Sequence, residues 1–282
     1  MLEQTLYLLN VDFVQTALVA SALLGIVSGI MAPLIVLRQM SFSVHGTSEL
    51  ALMGAAAALL FGLNVGVGAV VGSIIAAIVL ALLGMSQQDS AVGVVMSFGM
   101  GLSVLFIHLY PGKSSTAFAL LTGQIVGVSH SSLWLLALIV TIVVLTVTLL
   151  WRPLLFASAD PVIAASAGIK VRWMSILFAV LVGLTAAQSV QIVGALLVMA
   201  LLITPGAAAV QITSSPVGAV LWSVLFAEVA AVGGLILSLA PGLPVSVFVT
   251  SISFLIYLVC RFIGWRRDKN VHIQEVDHCC GE

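Results

Sequence analysis

Charge is scarce in this chain. Of its 282 residues, nine are Lys or Arg and ten are Asp or Glu, together 7%, whereas a soluble domain carries about 25%. Water is therefore not its main solvent, and no nucleic-acid partner is expected. Cysteine is scarce too, with three in all. Cys260 ends an apolar run, and Cys279 and Cys280 are neighbours near the C-terminus, so no disulfide framework is indicated. Met1 to Asn10 lacks a basic n-region, so the first apolar run reads as a retained anchor rather than a cleaved signal. Strict apolar/polar alternation is missing from stretches such as Leu133 to Leu150, which excludes a transmembrane β-barrel.

What is present is apolar: 62% of residues are hydrophobic and the mean hydropathy is +1.29. A hydrocarbon layer about 30 Å thick takes roughly 20 apolar residues per helix, and each span must satisfy its own backbone groups. The expectation is an all-α polytopic membrane protein of about eight or nine helices. Runs between polar breaks place spans near 13–37, 42–63, 66–84, 90–109, 133–151, 173–189, 190–212, 217–239 and 244–264. The segment 116–128 is too short for an easy crossing and reads as a re-entrant or surface helix on the outer side. Residues 1–265 then form one transmembrane domain, followed by a polar cytoplasmic tail, 266–282.

Arg261, Arg266, Arg267 and Lys269 cluster after the last run, and positive-inside bias puts that end in the cytoplasm. Working backwards, the loops with Arg38, Gln87 to Asp89, Arg152 to Arg172 and Gln211 to Pro216 fall on the same side. Small residues four apart, Gly62/Gly66 and Gly68/Gly72, are suited to close helix packing.

The loop 152–172 is the one sizeable cytoplasmic connection. Asp160 followed by Pro161 predicts a helix start, because the carboxylate caps free N–H groups and proline fits the first helical position. A short helix from Pro161 to Ala167 stopped by Gly168 follows. Such a helix suits docking of a motor subunit, though a capped surface helix that binds nothing reads the same. Gly112-Lys113-Ser114 imitates the end of a phosphate loop, but Ile107 stands where its first glycine belongs. No ATP hydrolysis by this chain is expected.

Charge at bilayer depth costs roughly 2.5–3.5 kcal/mol, so each instance needs a partner or a task. Three residues qualify: His45, Glu49 and Glu228. His45 and Glu49 are four apart and share a helical face with Ser41. An imidazole and a carboxylate suit a divalent transition metal, and a His–Glu pair satisfying itself is the alternative. Glu228 either joins them around a central cavity or is held protonated by apolar surroundings. His108 and His130 read as interfacial. The tail residues His272, His278, Cys279 and Cys280 form either a chelating set or an unstructured polar end.

Several segments together resemble the permease of the ABC-3 family, bacterial importers of manganese, zinc and iron that work with a separate ATPase and a metal-binding lipoprotein. They are DPVIAASAGI at 160–169, VGALLVMALLITPGAAAV at 193–210, PGKSS at 111–115, LLTGQIVGVS at 120–129 and GLPVS at 242–246. The resemblance implies a homodimeric permease in the cell membrane, in contact with lipid. Its loop, with Asp160, Pro161, Ala165 and Gly168, would couple to the ATPase, and metal would pass near the second span by alternating access. No covalently bound cofactor is implied; Mn2+ or Zn2+ is the cargo. In the family the second span reads Asp-x-x-x-His, whereas here His45 and Glu49 stand at those places, an exchange that leaves the cargo open. A permease for an iron chelate or other small cargo, or an ATP-independent channel or carrier, are the alternatives.

Overall fold

The computed structural model describes residues 11–82, 88–112, 130–194, 197–239 and 245–279. Among these residues there are helices and turns and no strand. The helices are α1 (Asp12–Leu37), α2 (Ser41–Leu60), α3 (Val65–Leu82), α4 (Gln88–Leu109), α5 (His130–Leu149), α6 (Trp151–Ala159), α7 (Pro161–Ser166), α8 (Val171–Val193), α9 (Val198–Leu202), α10 (Thr204–Ile212), α11 (Pro216–Leu239) and α12 (Val245–Cys279).

Six of them carry stretches long and apolar enough to cross a bilayer: 12–37, 92–109, 132–149, 171–191, 216–239 and 245–267. Two shorter apolar stretches, 65–80 and 198–212, and the more polar α2 complete the bundle. Apolar residues ring most of these helices, as expected of segments that face protein on one side and lipid on the other. Phe98, Trp134, Leu221 and Leu255 are all exposed, whereas Leu24, Met31, Leu136, Phe178 and Leu201 are buried in the shared core.

One end of the bundle gathers the α1–α2 turn, the α5–α6 junction, the α6–α7 stretch and the α10–α11 turn. Arg38 bonds Ser158 there, and Leu37, Trp151 and Ser214 line one small cavity. The opposite end brings together the starts of α3 and α5 and the end of α8, where Gln191 meets Ser132 and Gly66. The chain therefore passes end to end through α1, α2, α3, α4, α5, α8, the α9–α10 pair, α11 and α12 in turn. It follows that α4 ends and α5 begins on the same side. The segment 116–128 itself lies outside the described residues, as do PGKSS beyond Gly112 and the GLPVS motif up to Pro244.

Three expectations need correction. Spans 173–189 and 190–212 are not two helices meeting at residue 190: α8 continues to Val193, and the next crossing is broken into α9 and α10. Gly194 ends α8 at φ 87, a conformation that favours glycine. The second break falls at Ile203, with φ −122, because Pro205 lacks an N–H and its ring would clash with the carbonyl one turn back in a continuous helix.

Of the two glycine pairs, only Gly68/Gly72 has both members at a helix–helix contact: a Cβ on Gly72 would lie 3.0 Å from the Gly54 Cα. Gly62 instead sits in the α2–α3 turn at φ 69, and Gly66 meets the Gln191 side chain. Finally, the backbone of the tail continues the helix of α12 to Cys279, where an unstructured end was one expectation.

Candidate functional site

Asp160 behaves as its sequence context predicts. Its Oδ1 accepts from Val162 N–H at 2.8 Å and Ile163 N–H at 3.0 Å, and Pro161 opens α7. The helix stops at Ser166, with Gly168 at φ 81. There the Ala165 carbonyl accepts from Gly168 N–H at 3.0 Å, and the Ala164 carbonyl accepts from Ile169 N–H at 3.0 Å. Only Ala164 of this helix is buried. Val162 is 79% exposed and Ile163 56%, so a rigidly capped turn presents two large apolar side chains outward.

His45 and Glu49 lie on α2, which packs against α3, α4 and α8. Small residues let the neighbours come close: Gly46 faces Val92, Gly99 of α4 faces Leu50, and Gly54 meets Gly68 and Gly72 of α3. Glu49 is buried at 3% exposure, and His45 is partly buried. Ser48 Oγ donates to the His45 carbonyl at 2.7 Å, which anchors the turn between them. His45 Nδ1 and Glu49 Oε2 are both buried without a hydrogen-bond partner. These two atoms do not bond each other, and a nitrogen and an oxygen donor lie one helical turn apart.

That arrangement is chemically suited to a cation of borderline softness, since imidazole and carboxylate together fit first-row divalent metals. Two protein ligands are too few for a closed structural site.

Glu228, on α11, is not brought to this pair. Its carboxylate faces α1, where a Cβ on Gly25 would lie 2.6 Å from Oε1, and Oε1 is buried without a partner. Among the described residues, no three of His, Cys, Asp and Glu come together as a metal site. The backbone carrying His272, His278 and Cys279 is helical; their side chains and the whole of Cys280 lie outside the described residues.

One cluster was not legible in the sequence as a site. Arg38 follows α1, donates from Nε to Ser158 Oγ at 2.6 Å and stacks over the Phe178 ring at 4.1 Å. Burial lowers its pKa to about 10, still well above neutrality, so the guanidinium remains charged. A lone arginine between two apolar runs was its only signal, and that signal reads as orientation alone.

With this geometry in view, the sequence matches the ABC 3 transport family over residues 10–264. It is 33% identical over 264 residues to the manganese import system permease protein ScaB of Streptococcus parasanguinis, covering 92% of this chain and 94% of that one. It is 32% identical over 259 residues to the manganese transport system membrane protein MntC of Listeria monocytogenes, covering 89% and 92%. Among solved structures, PsaBC from Streptococcus pneumoniae in complex with Fab superposes with a TM-score of 0.84 at 26% identity, covering 92% of this chain and 95% of that one. An inward-facing putative metal-chelate type ABC transporter shares the fold, with a TM-score of 0.71 at 16% identity over 90% and 89% of the two chains. This chain belongs to the ABC 3 transport family.

Proposed function

We propose that the chain is the membrane-spanning permease of an ATP-driven importer of a divalent first-row metal ion, manganese foremost. The observation that carries this reading is the α2 pair, His45 Nδ1 and Glu49 Oε2, buried without partners in a chain whose named relatives import or transport manganese. The ion meets these two groups partway through the bundle and keeps part of its water. Charge–dipole and charge–charge attraction replace the rest of its hydration.

The capped helix α7, with Asp160, Pro161, Ala165 and Gly168, is the docking element for a separate ATPase, which engages Val162 and Ile163. The end that carries α7 and the C-terminus faces the cytoplasm, in keeping with Arg261, Arg266 and Arg267 on α12. A second copy of the chain completes the permease, and an extracytoplasmic binding lipoprotein delivers the ion to the opposite end. Glu228 acts at the α1–α11 contact. Its two helices press together at Gly25 and at Gly29, which faces Val224, so its carboxylate moves whenever they slide.

The test is cellular accumulation of manganese, zinc and iron with His45→Ala and Glu49→Ala at matched expression. Loss of manganese accumulation in both is expected. Unchanged accumulation of every first-row metal removes the site assignment. Uptake that persists without nucleotide would instead favour an autonomous carrier.

A further inference from the structure

A cavity of about 590 Å3 lies at the docking end, enclosed by the α1–α2 turn, α3, α8 and the stretch from α6 into α7. Neither His45 nor Glu49 lines it. Ser43 and Thr47 line it, and His45, two residues on from Ser43, points about 200° away around the helix.

Arg38 and Arg172 line the cavity with the hydroxyl residues Ser43, Thr47, Ser158 and Ser175, and among the described lining residues none is acidic. A divalent cation approaching two positive charges in a partly enclosed space is repelled, so the cavity is unsuited to the cargo.

A guanidinium carries five N–H donors and accepts nothing. Arg38 gives its Nε–H to Ser158 and its face to Phe178, while Nη2 is buried with no acceptor. A buried donor without an acceptor, on a charged group held rigid on two sides, lacks only an anion. A tetrahedral oxyanion matches the fork of one arginine while leaving oxygens for a second arginine and for hydroxyls.

We propose that this cavity binds a phosphate-bearing anion between Arg38 and Arg172, with the Ser43 and Ser175 hydroxyls beside it. The phosphate comes either from solution or from the headgroup of an anionic phospholipid, whose chains the apolar Leu80, Val92 and Ile176 of the same cavity would accommodate. Bound there, it joins the α1–α2 turn to the first turn of α8 through charge. The site is independent of which metal is carried.

The experiment uses the full-length chain in nanodiscs of neutral phosphatidylcholine. Sodium phosphate is titrated against sodium chloride at equal ionic strength, with Tm as the readout. In parallel, native mass spectrometry follows phosphatidylglycerol retained from nanodiscs that contain it. The expected result is a saturable, phosphate-specific rise in Tm. Arg172→Gln, which leaves the Arg38–Ser158 bond in place, weakens the apparent affinity by at least about tenfold. Arg38→Lys, which keeps the charge and loses the fork, does the same.

Retention of phosphatidylglycerol by the native chain, lost in both variants, supports the site with lipid as its source even if free phosphate has no effect. The proposal is overturned if phosphate and chloride act alike and lipid retention is the same in all three proteins. It is equally overturned if a phosphate effect survives both substitutions unchanged.

Discussion

Arg38 and Ser158, 120 positions apart in sequence, are joined by a 2.6 Å hydrogen bond. Through it the turn that begins the His45–Glu49 helix is tied to the residue two before Asp160. Ser158 Oγ in turn donates to the Leu154 carbonyl at 2.5 Å, so the contact is anchored on α6. The stretch from α6 into α7 and the turn before α2 are thereby joined directly.

Breaking this tie is expected to uncouple transport before it unfolds the bundle. Arg38→Ala removes a charge-assisted bond of about 1.5–3 kcal/mol together with the stacking on Phe178. Metal uptake should fall several-fold while the chain still reaches the membrane. The check is uptake per unit of membrane-inserted protein, with Ser158→Ala as the milder companion.

Close packing at Gly54 gives a second test. A Cβ there would press on the Gly68 carbonyl and lie 2.9 Å from the Gly72 Cα, whereas at Gly93 and Gly101 nothing lies within 4 Å. Gly54→Ala should cost about 1–3 kcal/mol and lower the Tm of the purified chain. Gly93→Ala and Gly101→Ala should leave Tm essentially unchanged.

Much of this architecture is legible in the sequence. The Asp160–Pro161 pair states its helix start locally, and the long apolar runs state their crossings by composition. What cannot be read there depends on partners far along the chain. Hydropathy averages over 190–212 and hides the two interruptions at Gly194 and Ile203. Four-residue spacing cannot separate Gly68/Gly72, which packs on α2, from Gly62/Gly66, which begins in a turn. The His45–Glu49 pair is visible as spacing, but that its two atoms stay unpartnered emerges only from the burial of α2 among α3, α4 and α8.

The docking helix should separate stability from partner binding. Asp160→Ala loses two capping bonds, worth about 1 kcal/mol, and loosens α7. Val162→Ser with Ile163→Ser leaves the cap intact and removes the exposed apolar pair. Both variants should retain less co-purified ATPase than the native chain. Equal retention by the Ser double variant would show that these side chains do not form the docking surface.

Glu228→Gln distinguishes a residue at the α1–α11 contact from a ligand on the path. The amide fills the same space against Gly25, so uptake is expected to stay within about threefold of the native value, a difference worth under 1 kcal/mol. Gly25→Val, which forces a side chain onto the Glu228 carboxylate, should abolish folding or uptake. A loss with Glu228→Gln as deep as with Glu49→Gln would place Glu228 on the path after all.

Manganese accumulation by cells expressing Glu49→Ala, at expression matched to the native permease, bears most directly on the α2 pair as the route of the metal. Import through that pair predicts a fall of at least about tenfold, the loss of one charged ligand of roughly 1.4 kcal/mol or more. Accumulation equal to that of the native chain would contradict it.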